Sequence, residues 1–333
     1  MPAATLRRCR NAAGFPPHLA MLALIAGRIF YAALTLLGIS LLVFIGASLL
    51  PGDVADALLG QAATPEATAA LRQSMHLTDP APLRYLHWLG GLLTGRLGLS
   101  LSSGLPVAGL IGSRLPNSLL LAALTTAVAL PVALLLGIVA AVWRGGVADR
   151  LIAIAAIAII SVPEFLVATI AVILFAVELQ WFPALSTPRI GSVADLFSSF
   201  TLPVLTLSLP IIAQMSRMTR AALIGTLDSS YVEMAWLKGL RPGRVVLRHA
   251  LPNAAGPIAN AAALSLSWLL GGVIVVEVIF NYPGLAKLMV DAVATRDMPL
   301  IQACAMIFCA GYMVLVLLAD ICSVLSNPRL RPA

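Results

Sequence analysis

Long uncharged stretches alternate with short polar ones along this chain. Ile29 to Leu50 runs 22 residues without a charge. At ~1.5 Å per residue a helix of that length reaches ~33 Å, enough for the ~30 Å hydrocarbon core of a bilayer. Comparable stretches at 116–142, 151–177, 201–218, 254–280 and 300–325 bring the expectation to six transmembrane helices in an all-α, polytopic membrane protein. The fourth is the weakest, because Pro203 and Pro210 interrupt it and Gln214 is polar. Such breaks survive in a membrane where neighbours or water satisfy the freed backbone groups, which places this helix inside the bundle. Gly256 to Gly272 is dense in Ala, Ser and Gly, a composition that lets helices approach closely.

Two polar stretches stand out from this pattern. The first, 51–115, follows Pro51, Gly52 and Asp53, and Thr64-Pro65-Glu66 opens an amphipathic helix in it. Asp79-Pro80 opens another through Tyr85, Trp88 and Leu92, whose rings suit a helix lying at headgroup level. Glycines and serines from Gly90 to Gly104 mark a turn-rich return. The second stretch, 228–253, reads DSSYVEMAWLKGLRPGRVVLRHALPN. Ser230 and Glu233 have capping-box spacing, Gly239 stands where a helix ends with positive φ, and Pro242 suits a first helical turn. Pro252 is expected to close the second helix, since proline breaks the backbone ladder. Two short helices carrying Lys238, Arg241, Arg244 and Arg248 at a membrane surface have the character of a docking element.

Composition supports the membrane assignment: of 333 residues 60% are hydrophobic and only 11% charged, against about a quarter in soluble domains. The net charge of +7 does not point to nucleic acid, because its location follows the membrane pattern. Of the 21 Lys and Arg residues, 14 fall in 1–28, 143–150, 217–253 and 326–333, and the longer opposite side holds the rest. The positive-inside rule therefore puts both termini and the 228–253 loop in the cytoplasm. Residues 1–28 read as a cytoplasmic N-terminal extension, 29–325 as the six-span domain with an external loop at 51–115, and 326–333 as a cytoplasmic tail. Leu19 to Ala26 has the length of a signal-peptide core, but a longer apolar stretch follows Arg28 directly. The four cysteines, Cys9, Cys304, Cys309 and Cys322, read as small apolar fillers rather than a disulfide framework. His76 and His87, without further ligands, do not make a metal site.

No G-x-x-x-x-G-K-[ST] loop is present, nor any H-E-x-x-H or serine–histidine arrangement, so no catalytic residues are assigned and no cofactor is expected on this chain. Transport energy would come from a separate ATPase or from an ion gradient. Glu164, beside Pro163, is the one acid deep inside a predicted span. A carboxylate there costs roughly 2.5–3.5 kcal/mol on insertion scales and should face the bundle interior or a wet cavity. It reads either as a pathway residue attracting a cationic group or as a partner for backbone opened by Pro163. Gln214 and Asn260 are the other candidate pathway-lining residues, Asn260 equally able to bridge helices. Glu277, at the end of the fifth span, is explained by snorkelling to the interface.

The 228–253 stretch also resembles the EAA signature of ABC importer permeases, E-A-A, three residues, G, nine residues, I-x-L-P. Glu233, Ala235, Gly239, Leu251 and Pro252 fall on it, with Met234 in place of the second position's alanine and His249 in place of the isoleucine. In that family the loop forms the coupling helix that enters a cleft on the cytoplasmic ATPase, and Arg241 lies within the corresponding turn. Further stretches resemble the first-type permease of peptide/nickel ABC importers: LLPGD, ATPEATAALRQSMHLTDPAPLRYLHWLGGLL, GRLGLSLSSGLPVAGLIGSRLPNSL, VVEVIFNYPGLAKLMVDAVATRDMPLIQA and the NPRLR tail, together covering about residues 28–331. The resemblance implies a type I importer permease of the bacterial inner membrane. Its partners would be a second homologous permease, two ATPases that bind ATP and Mg, a periplasmic solute-binding protein and membrane lipid. The solute would be a dipeptide, oligopeptide, nickel chelate, opine or sugar. A secondary transporter or channel is the alternative, distinguished by whether uptake fails on ATP depletion or on collapse of the proton gradient.

Overall fold

The computed structural model describes residues 17–49, 64–74, 79–186 and 193–326. The expectations for Cys9, the Pro51–Asp53 turn, His76 and the NPRLR tail lie outside the described residues. Within them the chain is helical, with a single bridge between Leu99 and Pro106. In order, the helices are α1 (Pro17–Ser48), α2 (Pro65–Ser74), α3 (Ala81–Leu93), α4 (Val107–Val142), α5 (Val147–Ser161), α6 (Glu164–Ala171), α7 (Val193–Leu227), α8 (Ser230–Leu237), α9 (Pro242–Val245), α10 (Leu251–Ile279), α11 (Leu285–Ala294) and α12 (Met298–Ser326). A π-helical segment, Val172–Glu178, extends α6, and another, Val246–Ala250, joins α9 to α10. Among the described residues five helices are long and apolar enough to cross a membrane, and α5 with extended α6 makes a sixth candidate, bent by 97°.

Three expectations change here. The single span at 151–177 is two helices, because Val162 precedes a proline and adopts extended backbone, φ −98° and ψ 127°. Glu164 therefore sits in the first turn after a break rather than deep inside a span. The fourth span is continuous through Pro203 and Pro210, and as the most enclosed of the candidate spans it does occupy the bundle interior. Pro252 does not close a helix: the π turn just before it, Val246–Ala250, accommodates the proline and carries the helix through from Gly243 into α10.

The bent pair starts at the end of the bundle that carries the 228–253 loop, where Asp149 pairs with Arg220 and Arg144 with Asp228. Its continuation finishes at the far end, where Phe182 meets Phe197 and the Ser186 N–H donates to Phe280 O at 3.0 Å. The pair thus runs from one end of the bundle to the other. An ion pair between Arg28 and Asp320 joins α1 to α12.

The most extensive packing is between α4 and α7. A Cβ on Gly137 would stand 2.5 Å from Thr219 Cβ and 2.8 Å from Ser216 O, so only glycine permits this approach. The core then continues through Leu121, Phe200, Leu207, Ile211, Val273 and Phe280. Cys304 packs in a second cluster with Val107, Leu285 and Leu300, as an apolar filler would. Tyr85 and Trp88 of α3 find partners within the protein: both rings lie against Phe44 of α1, at 5.5 and 6.0 Å, and the Tyr85 hydroxyl is 2.8 Å from Ser40 Oγ.

Candidate functional site

The 228–253 loop builds a small folded unit. Ser229 is the N-cap of α8, and no side chain caps the helix, so the Ser230–Glu233 capping box does not form. The Ser229 hydroxyl donates instead to Thr226 O in the preceding turn. Gly239 has φ +74°, and the Gly239 and Leu240 N–H groups return to Trp236 O and Ala235 O at 2.9 and 3.4 Å, closing α8 through a left-handed residue. Ala235 is buried with Val232 and Val245, against Leu227 and Leu240, which ties α8 to α9 and to the end of α7. Leu251 packs into the cluster of Leu223, Ala250 and Ala254, and Pro252 is exposed. Glu233, Gly239 and Arg241 are exposed. The face that α8 leaves open is apolar, with Tyr231, Met234, Trp236 and Leu237 all exposed, Leu237 by 76%. Lys238, Arg241, Arg244 and Arg248, which follow α8 along the loop, are exposed as well.

A second feature runs along α7. Toward the far end, a cleft of about 290 Å³ lies between the α5–α6 break, α7 and α10, and Glu164, Gln214, Ser265 and Trp268 line it. A Cβ on Gly272 would come within 2.9 Å of Glu164 Oε2 and 3.0 Å of Leu207 Cδ2, so the carboxylate, α7 and α10 converge at one point. The Ser265 hydroxyl is buried without a hydrogen-bond partner, whereas the Trp268 ring is largely exposed. Toward the loop end, a wider cleft of about 510 Å³ is lined by Arg150 and Arg217, by the Asp149–Arg220 pair, and again by Gln214. Arg220 holds Asp149 with two parallel bonds, Nε to Oδ1 at 2.6 Å and Nη2 to Oδ2 at 2.8 Å, and the Gly145 N–H donates to Oδ2 at 2.9 Å. Glu164 and Gln214 thus come together in one cleft, while Asn260, half-buried on α10, lies outside both. Trp268, Arg150 and Arg217 were not legible as site residues, although the i, i+3 spacing of Gln214 and Arg217 puts them on one helical face.

At the far end, Glu277 is not snorkelling: it is fully buried. The chain reverses at Asn281, φ +48°, and returns the first turn of α11 onto the carboxylate. Glu277 Oε2 accepts from the N–H groups of Ala286 and Lys287 at 2.8 and 3.0 Å, and Oε1 accepts from Ser118 Oγ at 2.5 Å. Those donors would otherwise be orphans of a helix N-terminus, which favours an anion there. Tyr282 and Asn117 complete the junction, the Tyr282 hydroxyl donating to Asn117 O and Asn117 Nδ2 to Pro283 O, both at 2.8 Å. Nearby, fully buried Asp297 accepts from the hydroxyls of Ser100 and Ser102 and fastens the return of the long loop to α12.

A bundle of apolar helices with a folded basic loop and a polar cleft is a form compatible with a transport permease. Residues 133–332 match the family described as binding-protein-dependent transport system inner membrane component, and residues 21–122 match the N-terminal part of such membrane components. The chain is 35% identical over 295 residues to the probable peptide ABC transporter permease protein y4tP of Sinorhizobium fredii, covering 88% of this chain and 94% of that one. It is 38% identical over 297 residues to the glutathione transport system permease protein GsiC of Pectobacterium atrosepticum, covering 89% and 95%. GsiC of Escherichia coli K12 is 37% identical over the same length and coverage. The chain belongs to the binding-protein-dependent transport system inner membrane component family: it is a multi-pass permease subunit of an ABC importer and not an enzyme.

Proposed function

We propose that this subunit forms half of the translocation pathway of an ATP-driven peptide importer in the bacterial inner membrane. It pairs with a second homologous permease, takes its solute from a periplasmic binding protein, and is driven by two cytoplasmic ATPases that bind ATP and Mg. Both termini and the 228–253 loop lie in the cytoplasm, as the charge distribution favours. Glu233, Ala235, Gly239, Arg241, Leu251 and Pro252 belong to the EAA-like coupling element, and Glu164 and Gln214 line the path. The names of the relatives support a peptide solute over the nickel chelates, opines and sugars that the resemblance also raises. ATP-driven closure of the ATPases would shift the loop between two positions, and differential contacts in the two states, rather than chemistry on this chain, would move the solute.

The observation that carries the coupling role is the uncovered, largely apolar face of α8 in a loop whose basic residues are exposed. Its anchoring residues, Val232 and Ala235, are already buried, so the open face is not waiting for a partner within the described part of the chain. A Cβ on Gly239 would meet nothing within 4 Å, so a side chain there is disfavoured by φ +74° and by whatever docks against the loop. In the complete transporter, Leu237→Asp and Gly239→Asp should leave the subunit in the membrane at normal levels. ATPase co-purification should fall, or ATP hydrolysis should continue without uptake. Normal co-purification together with normal uptake in both variants would return the loop to a plain connector.

A further inference from the structure

The two clefts along α7 carry opposite charge. Toward the far end the ionisable group is Glu164, half-buried beside the exposed ring of Trp268. Toward the loop end the groups are Arg150 and Arg217, both exposed and neither with an acidic partner among the described residues. The one acid in that cleft, Asp149, is taken up by Arg220 and Gly145. Gln214 lines both clefts.

We infer that these clefts form one two-pole site for a dipolar solute, its ammonium held by Glu164 and Trp268 and its carboxylate by Arg150 and Arg217. A carboxylate and an aromatic face are complementary to an ammonium group, and paired guanidinium groups are complementary to a carboxylate. The scale fits a short peptide. Leu207, which meets Glu164 at Gly272, and Arg217 are separated along α7 by ten residues, a rise of ~15 Å. An extended peptide covers about 3.4 Å per residue, and the glutamate and arginine side chains reach inward, so about three residues join the poles. The charge order also orients the solute, carboxylate toward the 228–253 loop.

This inference rests on the pathway reading above, and the experiment separates the two. The complete transporter, with this subunit's four cysteines replaced by alanine, its partners cysteine-free, and Gln214→Cys introduced, is reconstituted in liposomes. Thiol modification by a small maleimide is timed with trialanine, N-acetyltrialanine or trialanine amide present. Trialanine should slow modification about threefold, the slowing expected at twice its Kd, and either cap should remove most of that protection. With Glu164→Gln, trialanine should protect no better than its N-acetyl form; with Arg217→Gln, no better than its amide. Equal protection by all three peptides, or by none, overturns the two-pole site. Separately, Gln214→Trp, which adds bulk at the residue both clefts share, should abolish uptake of the solute delivered by the transporter's own binding protein, with membrane levels unchanged. Full uptake in Gln214→Trp removes the pathway reading itself, whereas lost uptake without end-selective protection removes only the two poles.

Discussion

Glu277 shows how much one side chain holds in this protein. Its carboxylate satisfies two N–H groups of α11 and the Ser118 hydroxyl, while Ser118 in turn accepts from the Leu285 N–H at 2.8 Å. Glu277→Gln is nearly isosteric but brings an amide donor toward a set of donors. One acceptor of the triad is lost, and a buried group without its partner costs ~1–3 kcal/mol. We expect lower thermal stability of the purified complex and a lower membrane level, and a Gln variant as stable as the parent would refute the account. Gly284→Ala tests the same junction sterically. Its Cβ would lie 2.1 Å from Glu277 Oε1, a distance no real contact reaches, so either the carboxylate gives up its hydrogen bonds or the reversal opens. That variant should be impaired at least as much as Glu277→Gln in the same melting measurement.

Between elements, geometry rather than charge count decides which ion pairs matter. The Asp149–Arg220 pair joins α5 to α7 with two aligned bonds, the Asp149 side chain being only 6% exposed. The Arg144–Asp228 pair links the α4–α5 turn to the start of the loop at 3.1 Å, with side chains 57% and 62% exposed. A double-mutant cycle on the first should give a coupling of ~1–2 kcal/mol in unfolding of the purified complex, and on the second ~0–1 kcal/mol. Equal couplings would show that exposure does not control them. The sequence made the elements of this bundle readable because their signals are local. Uncharged length located the spans, and the left-handed end of α8 at Gly239 followed from one glycine. What it did not reveal depends on distant parts of the chain. Asp149 and Arg220 stand 71 residues apart, and Ser100 and Asp297, 197 apart. Glu277 read as a snorkelling acid because its donors arrive only after the reversal at Asn281. Pro252 read as a stop because a π turn that absorbs a proline leaves no sequence mark of its own.

At the scale of the whole molecule, the contacts at each end constrain how the chain crosses the membrane. The starts of α4, α7, α11 and α12 gather at the far end with the C-terminal end of α10, through Ser118, Asn117, Phe200, Tyr282 and Asp297. The ends of α4 and α7 and the start of α5 gather at the loop end. Between them α4 runs toward the loop end, bent α5–α6 runs away from it, α7 returns to it, α10 leaves it and α12 returns. Counting the bent pair as one crossing gives six with α1, and it places the start of α1 and the end of α12 on the side of the loop. Were the pair a re-entrant segment, α4 and α7 could not both run toward the loop end, yet Gly137 meets Thr219 and Ser216 near the loop ends of both helices. The proposal that this side is the cytoplasm rests on the positive charge of the 228–253 loop. Single cysteines introduced at Ala63 and Arg244 in a cysteine-free background test this in intact cells. A membrane-impermeant maleimide should modify Ala63→Cys and leave Arg244→Cys untouched until the membrane is permeabilised. A third site, Trp181→Cys, lies just past extended α6 at the far end and should behave like Ala63→Cys. Modification of Arg244→Cys from outside would invert the orientation, and protection of Trp181→Cys alongside labelling of Ala63→Cys would make the bent pair re-entrant.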